Sequence, residues 1–95
     1  MDVDLAFMAR LMDDAGVGPG MRVLDLGCGG GAVTVLASGR VGSGGAVMGV
    51  DLPGPTLDAA RVAAAAGLGH VTFRALSLDE PLPHDLGRFD AIVAR

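Results

Sequence analysis

Val23-Leu24-Asp25-Leu26-Gly27-Cys28-Gly29-Gly30-Gly31 is the stretch on which the fold class turns. It reads as a short buried strand, begun at Met21 and closed by the most glycine-dense part of the chain. Residues 32–37 after it are apolar and helix-forming. Glycines between a strand and a helix let the backbone approach a ligand closely, and the N–H groups that open a helix favour a negative group. Upstream, residues 4–15 place Leu5, Met8, Leu11, Met12 and Ala15 at helical spacing, with Asp2 or Asp4 as the candidate N-cap and Gly16 as the stop. Pro19-Gly20 then marks a turn.

Downstream, residues 39–45 read as a loop and residues 46–51 as a second apolar strand ending on an acid. Pro53-Gly54-Pro55 opens a helix with Pro55 at its first position, an inner face of Leu57, Ala60, Ala64 and Leu68, and a stop at Gly67. Residues 71–75 are a third strand, 79–83 a loop and 89–94 a fourth strand. Apolar strands alternating with helices predict an α/β fold: a three-layer, Rossmann-like parallel sheet wound by right-handed crossovers. No internal repeat, linker or low-complexity tract interrupts it; the run Ala63-Ala64-Ala65-Ala66 is helix filler.

The chain has 95 residues, 51% of them apolar, which excludes a disordered chain. That figure is padded by alanine, and the only aromatics are three Phe. A domain this short buries roughly 60–65% of its unfolded surface, so its core is thin. Seven Arg without Lys face eleven acids, a net charge of −4. This balance carries no electrostatic footprint for nucleic acid and no basic face for a membrane surface. Cys28 stands alone and cannot close an internal disulfide, which points to a reducing cytoplasm. The first 14 residues carry four Asp and no basic start, unlike a signal peptide. No stretch approaches the roughly 18 apolar residues of a membrane span. The expectation is a single small cytoplasmic domain, residues 1–95.

The second feature with chemical content is Asp51, twenty residues beyond Gly31. At the end of the next strand it faces the same crevice as the glycine loop, where a carboxylate accepts hydrogen bonds from ribose hydroxyls. The pair describes a site for an adenosine-containing ligand. Spacing leaves two ligands open. Gly27, Gly29 and Gly31 satisfy G-x-G-x-G, whereas Gly27, Gly29 and Ala32 satisfy the dinucleotide pattern G-x-G-x-x-[GA]. Asp25 tilts the choice, because its carboxylate repels a pyrophosphate and attracts an ammonium or a sulfonium. An NAD(P)-dependent oxidoreductase and a non-catalytic interaction module remain the alternatives.

The same stretch, residues 23–31, resembles motif I of the class I S-adenosylmethionine-dependent methyltransferases. Gly44-Gly45-Ala46-Val47-Met48-Gly49-Val50-Asp51-Leu52 resembles that family's second strand and ribose-binding acid. Leu57-Asp58-Ala59-Ala60-Arg61, Gly67-Leu68-Gly69-His70-Val71-Thr72-Phe73 and Phe89-Asp90-Ala91-Ile92-Val93-Ala94-Arg95 resemble the next helix, third strand and fourth strand, in the family's order. The resemblance implies S-adenosylmethionine as cofactor, a methyltransferase activity and the strand order 3-2-1-4. It also implies roles: Gly27, Cys28, Gly29 and Gly31 along the methionine part, Asp25 orienting its amino group, Asp51 on the ribose and Leu52 against the adenine. Where the family often has an acid after strand three, this chain has Ser77, with Leu78 beside the ring and Asp79 two residues on.

The family's domain continues beyond strand four, so the chain is expected to be the cofactor-binding portion of a longer protein, or to need a partner. Strand four (Asp90-Ala91-Ile92-Val93-Ala94) is then an exposed edge, open to another protein or to a second copy. The catalytic residues are unknown; any base is expected beyond Arg95. The expected acceptor is a small molecule rather than a macromolecule. The remaining reactive side chains have plain readings. Cys28 is a packing thiol, His70 and His84 lack a partner at metal-ligand spacing, and Asp79-Glu80 is a solvated turn. Asp90 is structural, and Met8 with Met12 is core.

Overall fold

In the computed structural model, which describes residues 4–77 and 79–94, β1 (Arg22–Leu26) is the strand against which the rest is placed. It is flanked in parallel by β2 (Ala46–Asp51) and by β4 (Ala91–Ala94), and β3 (Val71–Ala75) lies outside β2. The order β3-β2-β1-β4 is the expected one. The connections run through α2 (Ala32–Val41), between β1 and β2, and α3 (Pro55–Gly67), between β2 and β3; α1 (Leu5–Asp14) precedes the sheet.

Register decides which side chains share a face. Val23 lies opposite Val47, and Val47 opposite Val71. These three valines are buried in one core with Met8 and Met12 of α1, Val33, Ala37 and Val41 of α2, and Leu57, Ala60 and Ala64 of α3. All three helices therefore cover the same face: α2 and α3 because successive right-handed crossovers that step in one direction place their helices on one side, and α1 because it packs on α2. The opposite face, carrying Arg22, Leu24 and Arg74, is crossed by residues 79–90 with a 3-10 turn (His84–Leu86). Arg74 donates to Asp85 at 3.2 Å, and the Arg22 guanidinium stands 5.0 Å from the centre of the Phe89 ring. Leu86 is buried there. Over the described residues this third layer is irregular chain rather than helix.

Four local expectations change. α1 is capped by Asp4, whose carboxylate accepts from Phe7 N at 3.0 Å, but of its expected inner face only Met8 and Met12 are buried. Leu5 and Leu11 are 42% and 44% exposed, because α1 packs on α2 at the rim of the sheet and not across it. α2 runs on through Gly39 and Arg40, where a loop is expected. Burial of Val41 and the bond from Arg40 Nε to Asp13 Oδ1 of α1 at 3.0 Å carry the helix past its glycine. β4 begins at Ala91, two residues later than expected. Asp90 is instead spent on an exchange with β1: its Oδ2 accepts from Arg22 N at 2.8 Å and its N–H donates to Arg22 O at 2.8 Å. The 3-10 turn is the fourth change: its residues carried no helical signal.

β4 is an edge of the sheet, as expected, and Ile92 is 59% exposed; Val93 is half-buried in a groove of about 220 Å³ between β4 and Met8, Leu11 and Met12. Among the described residues, no helix is long and apolar enough to cross a membrane.

Gly39 gives a first expected result. It is exposed in the last turn of α2, and a Cβ built there meets nothing within 4 Å. Gly39→Ala is expected to stabilise the chain by about 0.5–1 kcal/mol, since alanine narrows the unfolded ensemble at no steric cost. Thermal unfolding reads this as a rise of roughly 3–6 °C in Tm.

Candidate functional site

All four strands are parallel, so their C-terminal ends gather at one edge, and the order reverses between β1 and β4. That is where an open α/β sheet leaves a crevice. The loop from β1 to α2 sits there. Gly27, Gly29 and Gly31 have φ of +77°, +55° and +91°, values that side-chain-bearing residues rarely adopt. The amides of Gly27 and Cys28 both donate to Val50 O, at 2.8 and 3.0 Å, which fastens the start of the loop to β2. Gly31 N donates to Cys28 O at 3.0 Å and closes the turn into α2. Gly31 also allows close packing: a Cβ there would lie 2.9 Å from Cζ of Phe73.

Asp51 reaches back from the end of β2 across this loop. Its Oδ2 accepts from Gly29 N at 2.8 Å and its Oδ1 from Leu52 N at 2.7 Å. A carboxylate has about four acceptor positions, so each oxygen keeps capacity for one more donor. Gly29, Asp51, Leu52, Pro53, Thr56 and Leu57 are among the walls of a cleft of about 300 Å³. Among the described residues, the cleft wall contains one charged side chain, Asp51, and no cation. Such a donor set suits hydroxyls and positive groups and opposes a phosphate. Leu52, 59% exposed, adds an apolar surface at the same place.

The other residues singled out in the sequence fall around this cleft in different ways. Asp25 is 1% exposed, and its Oδ2 accepts from the hydroxyl of Thr34 at 2.7 Å. It lies on the helix-covered face of β1, beneath the loop and not in the cleft wall. The side chain of Cys28 is buried, with its Cβ against the position that a Cβ of Gly49 would take. Any ligand contact from residue 28 falls to its backbone. Ser77 is exposed just beyond β3, one residue after Leu76, whose N–H donates to Asp51 O at 2.8 Å; it is not part of the cleft wall. Leu78 lies outside the described residues. His70 is half-buried at the other end of the sheet, 3.2 Å from Ser38 O. No group of three His, Cys, Asp or Glu side chains among the described residues is placed to hold a metal ion.

Two threonines were not anticipated. Thr56 lines the cleft, and Thr34 is fully buried against Asp25. A hydroxyl in the first turn of an otherwise apolar helix, three residues past Gly31, was the available signal for the second.

Known proteins share this architecture. The family described as "Methyltransferase domain" matches residues 23–95. Nocamycin O-methyltransferase of Saccharothrix syringae is 43% identical over 86 residues, covering 90% of this chain and 30% of that protein. Among solved structures, a protein-L-isoaspartate O-methyltransferase superposes with a TM-score of 0.87 at 26% identity, over 98% of this chain and 29% of its own. The N-terminal domain of EvdMO1 with SAH bound superposes with a TM-score of 0.78 at 28% identity, over 97% of this chain and 38% of its own. The chain thus spans about a third of the length of these three proteins. A nicotinamide-dependent oxidoreductase finds no support in the family matched.

Proposed function

The chain belongs to the class I S-adenosylmethionine-dependent methyltransferases, and from that membership we propose that it is the cofactor-binding half of an enzyme that methylates an oxygen of a small molecule. The observation that carries the reading is Asp51: a carboxylate tied to the glycine loop through Gly29 N, with acceptor capacity left over, in a cleft whose wall holds no cation among the described residues. The residues present fit S-adenosylmethionine. Asp51 accepts from the ribose hydroxyls, Gly27, Gly29 and Gly31 give the backbone room for close approach, and Leu52 covers a face of the adenine. Ser77 offers its hydroxyl oxygen to the adenine amino group in place of the acid more common there, and Leu78 is assigned to the adenine ring. Asp25 acts by charge, from beneath the loop, on the positive end of the cofactor.

The cofactor supplies a methyl group already activated on a sulfonium. The task left to this half of the protein is to hold and orient it, which favours transfer by proximity. None of the cleft residues is assigned as a base. The acceptor class follows the relative named for O-methylation of nocamycin, and the acidic balance of the chain, −4 overall, suits a small molecule better than a nucleic acid.

Calorimetric titration tests the reading. The folded chain is expected to bind S-adenosylmethionine and not NAD. Binding of NAD alone, or of neither, overturns it.

A further inference from the structure

Beneath the glycine loop is a buried pair that the cleft itself does not use. Thr34 and Asp25 are both shut off from solvent, and the hydroxyl of Thr34 donates to Oδ2 of Asp25 at 2.7 Å. They come from different elements, Asp25 from near the C-terminal end of β1 and Thr34 from the first turn of α2, and the loop spans the gap between them. A carboxylate in an apolar core is costly unless its oxygens are satisfied. Val23, Val33 and Ala37, the neighbours of this pair along β1 and α2, are buried and apolar, so the hydroxyl is not an incidental contact.

From this geometry we infer that Thr34 is a positioning residue for the amino-acid end of the ligand, acting through Asp25. The inference rests on the cofactor reading above. By holding one oxygen of Asp25, the hydroxyl keeps a negative charge fixed beneath the loop that would lie along the methionine part of S-adenosylmethionine. Without that donor, Oδ2 of Asp25 loses a bond that fixes its direction, and the loop's preference for a positive group weakens. The adenosine end, held at Asp51 and Leu52, is left untouched.

Two ligands separate these ends. S-adenosylhomocysteine carries the amino-acid ammonium, and 5′-methylthioadenosine has the same adenine, ribose and thioether without it. Thr34→Val keeps the shape and removes the donor. It is expected to weaken S-adenosylhomocysteine by about tenfold or more, the worth of one hydrogen bond to a charged group, and to leave 5′-methylthioadenosine within about twofold. Thr34→Ser, which restores the hydroxyl, is expected to return the wild-type ratio. Thermal unfolding of each variant is measured alongside. If the valine variant does not fold, Thr34→Ala, which leaves room for a water, must show the same direction of selectivity. Equal weakening of both ligands, or a serine variant that behaves like valine, overturns the role of Thr34 and leaves the cofactor reading intact. A folded wild-type chain that binds neither ligand overturns both.

Discussion

Asp51→Ala is expected to weaken S-adenosylmethionine by at least about a hundredfold, with the fold retained. On the proposed reading, two ribose hydroxyls lose a charged acceptor, and each such bond is worth about 1.5–3 kcal/mol. That alone corresponds to roughly two to four decades in Kd. A second loss compounds it. Oδ2 also receives Gly29 N at 2.8 Å, so the carboxylate holds the glycine loop in place before any ligand arrives. Without it the loop must be ordered at the expense of binding. Asp51→Asn sharpens the test. It keeps one acceptor oxygen, but its amide NH2 must face either the Gly29 N–H or the Leu52 N–H, donor against donor. It is expected to recover little of the loss. Asp51 is half-buried at a strand end, so the effect on Tm is small beside the effect on Kd. Calorimetry on the folded variant decides: an unchanged Kd would remove the ligand from this cleft.

A large loss of stability is expected a few residues away, at a position with no ligand role. A Cβ on Gly49 would fall 2.8 Å from two carbons of the Phe73 ring and 2.9 Å from Cβ of Cys28. The ring fills a slot that two missing side chains leave open, since Gly31 faces its far edge. Phe73 and the loop residue Cys28 are both buried, and neither can retreat without moving backbone. Gly49→Ala is expected to cost about 1–3 kcal/mol as an overpacking substitution, against roughly 5–15 kcal/mol for a whole domain. Thermal unfolding should read a drop of roughly 5–20 °C. Because the displaced groups prop the glycine loop, ligand affinity is expected to fall with it. Phe73→Leu combined with Gly49→Ala is expected to recover part of the loss, a coupling that a double-mutant cycle measures. Strict additivity would mean that the ring and the glycine do not share the slot.

Much of this molecule can be read along the chain. The bounds of β2 and β3 and the start of α3 at Pro55 follow from short apolar runs and proline chemistry, and the N-cap at Asp4 is one of the two acids the sequence offered. Those signals are local, and local backbone preference is enough to set them. The strand order followed from the ordered set of family-like motifs more than from any one of them. Glycine density announced the loop, and an acid twenty residues on announced its counterpart.

What residues 38–41 do could not be read in the same way. Gly39 argues for a break, and the helix continues because Val41 finds the core and Arg40 finds Asp13, partners 27 positions away from each other. The exposed leucines of α1 carry a helical stripe like that of any buried helix. Only the placement of α1 at the rim, against α2, decides that two of them face outward. The same holds within the site. Asp25 and Asp51 are both acids at the C-terminal half of parallel strands, and spacing alone set both of them toward the ligand. Position along the strands separates two acids that share a pleat face: Asp51 ends β2 in the cleft wall, whereas Asp25, opposite Gly49 and two residues nearer the centre of the sheet, lies under the helices and meets Thr34. Sequence thus determined the elements, their order and the chemical character of the loop, since these rest on propensities and patterns of neighbours. Burial, and with it which carboxylate meets the ligand and which acts from beneath, was decided by packing between segments far apart in the chain.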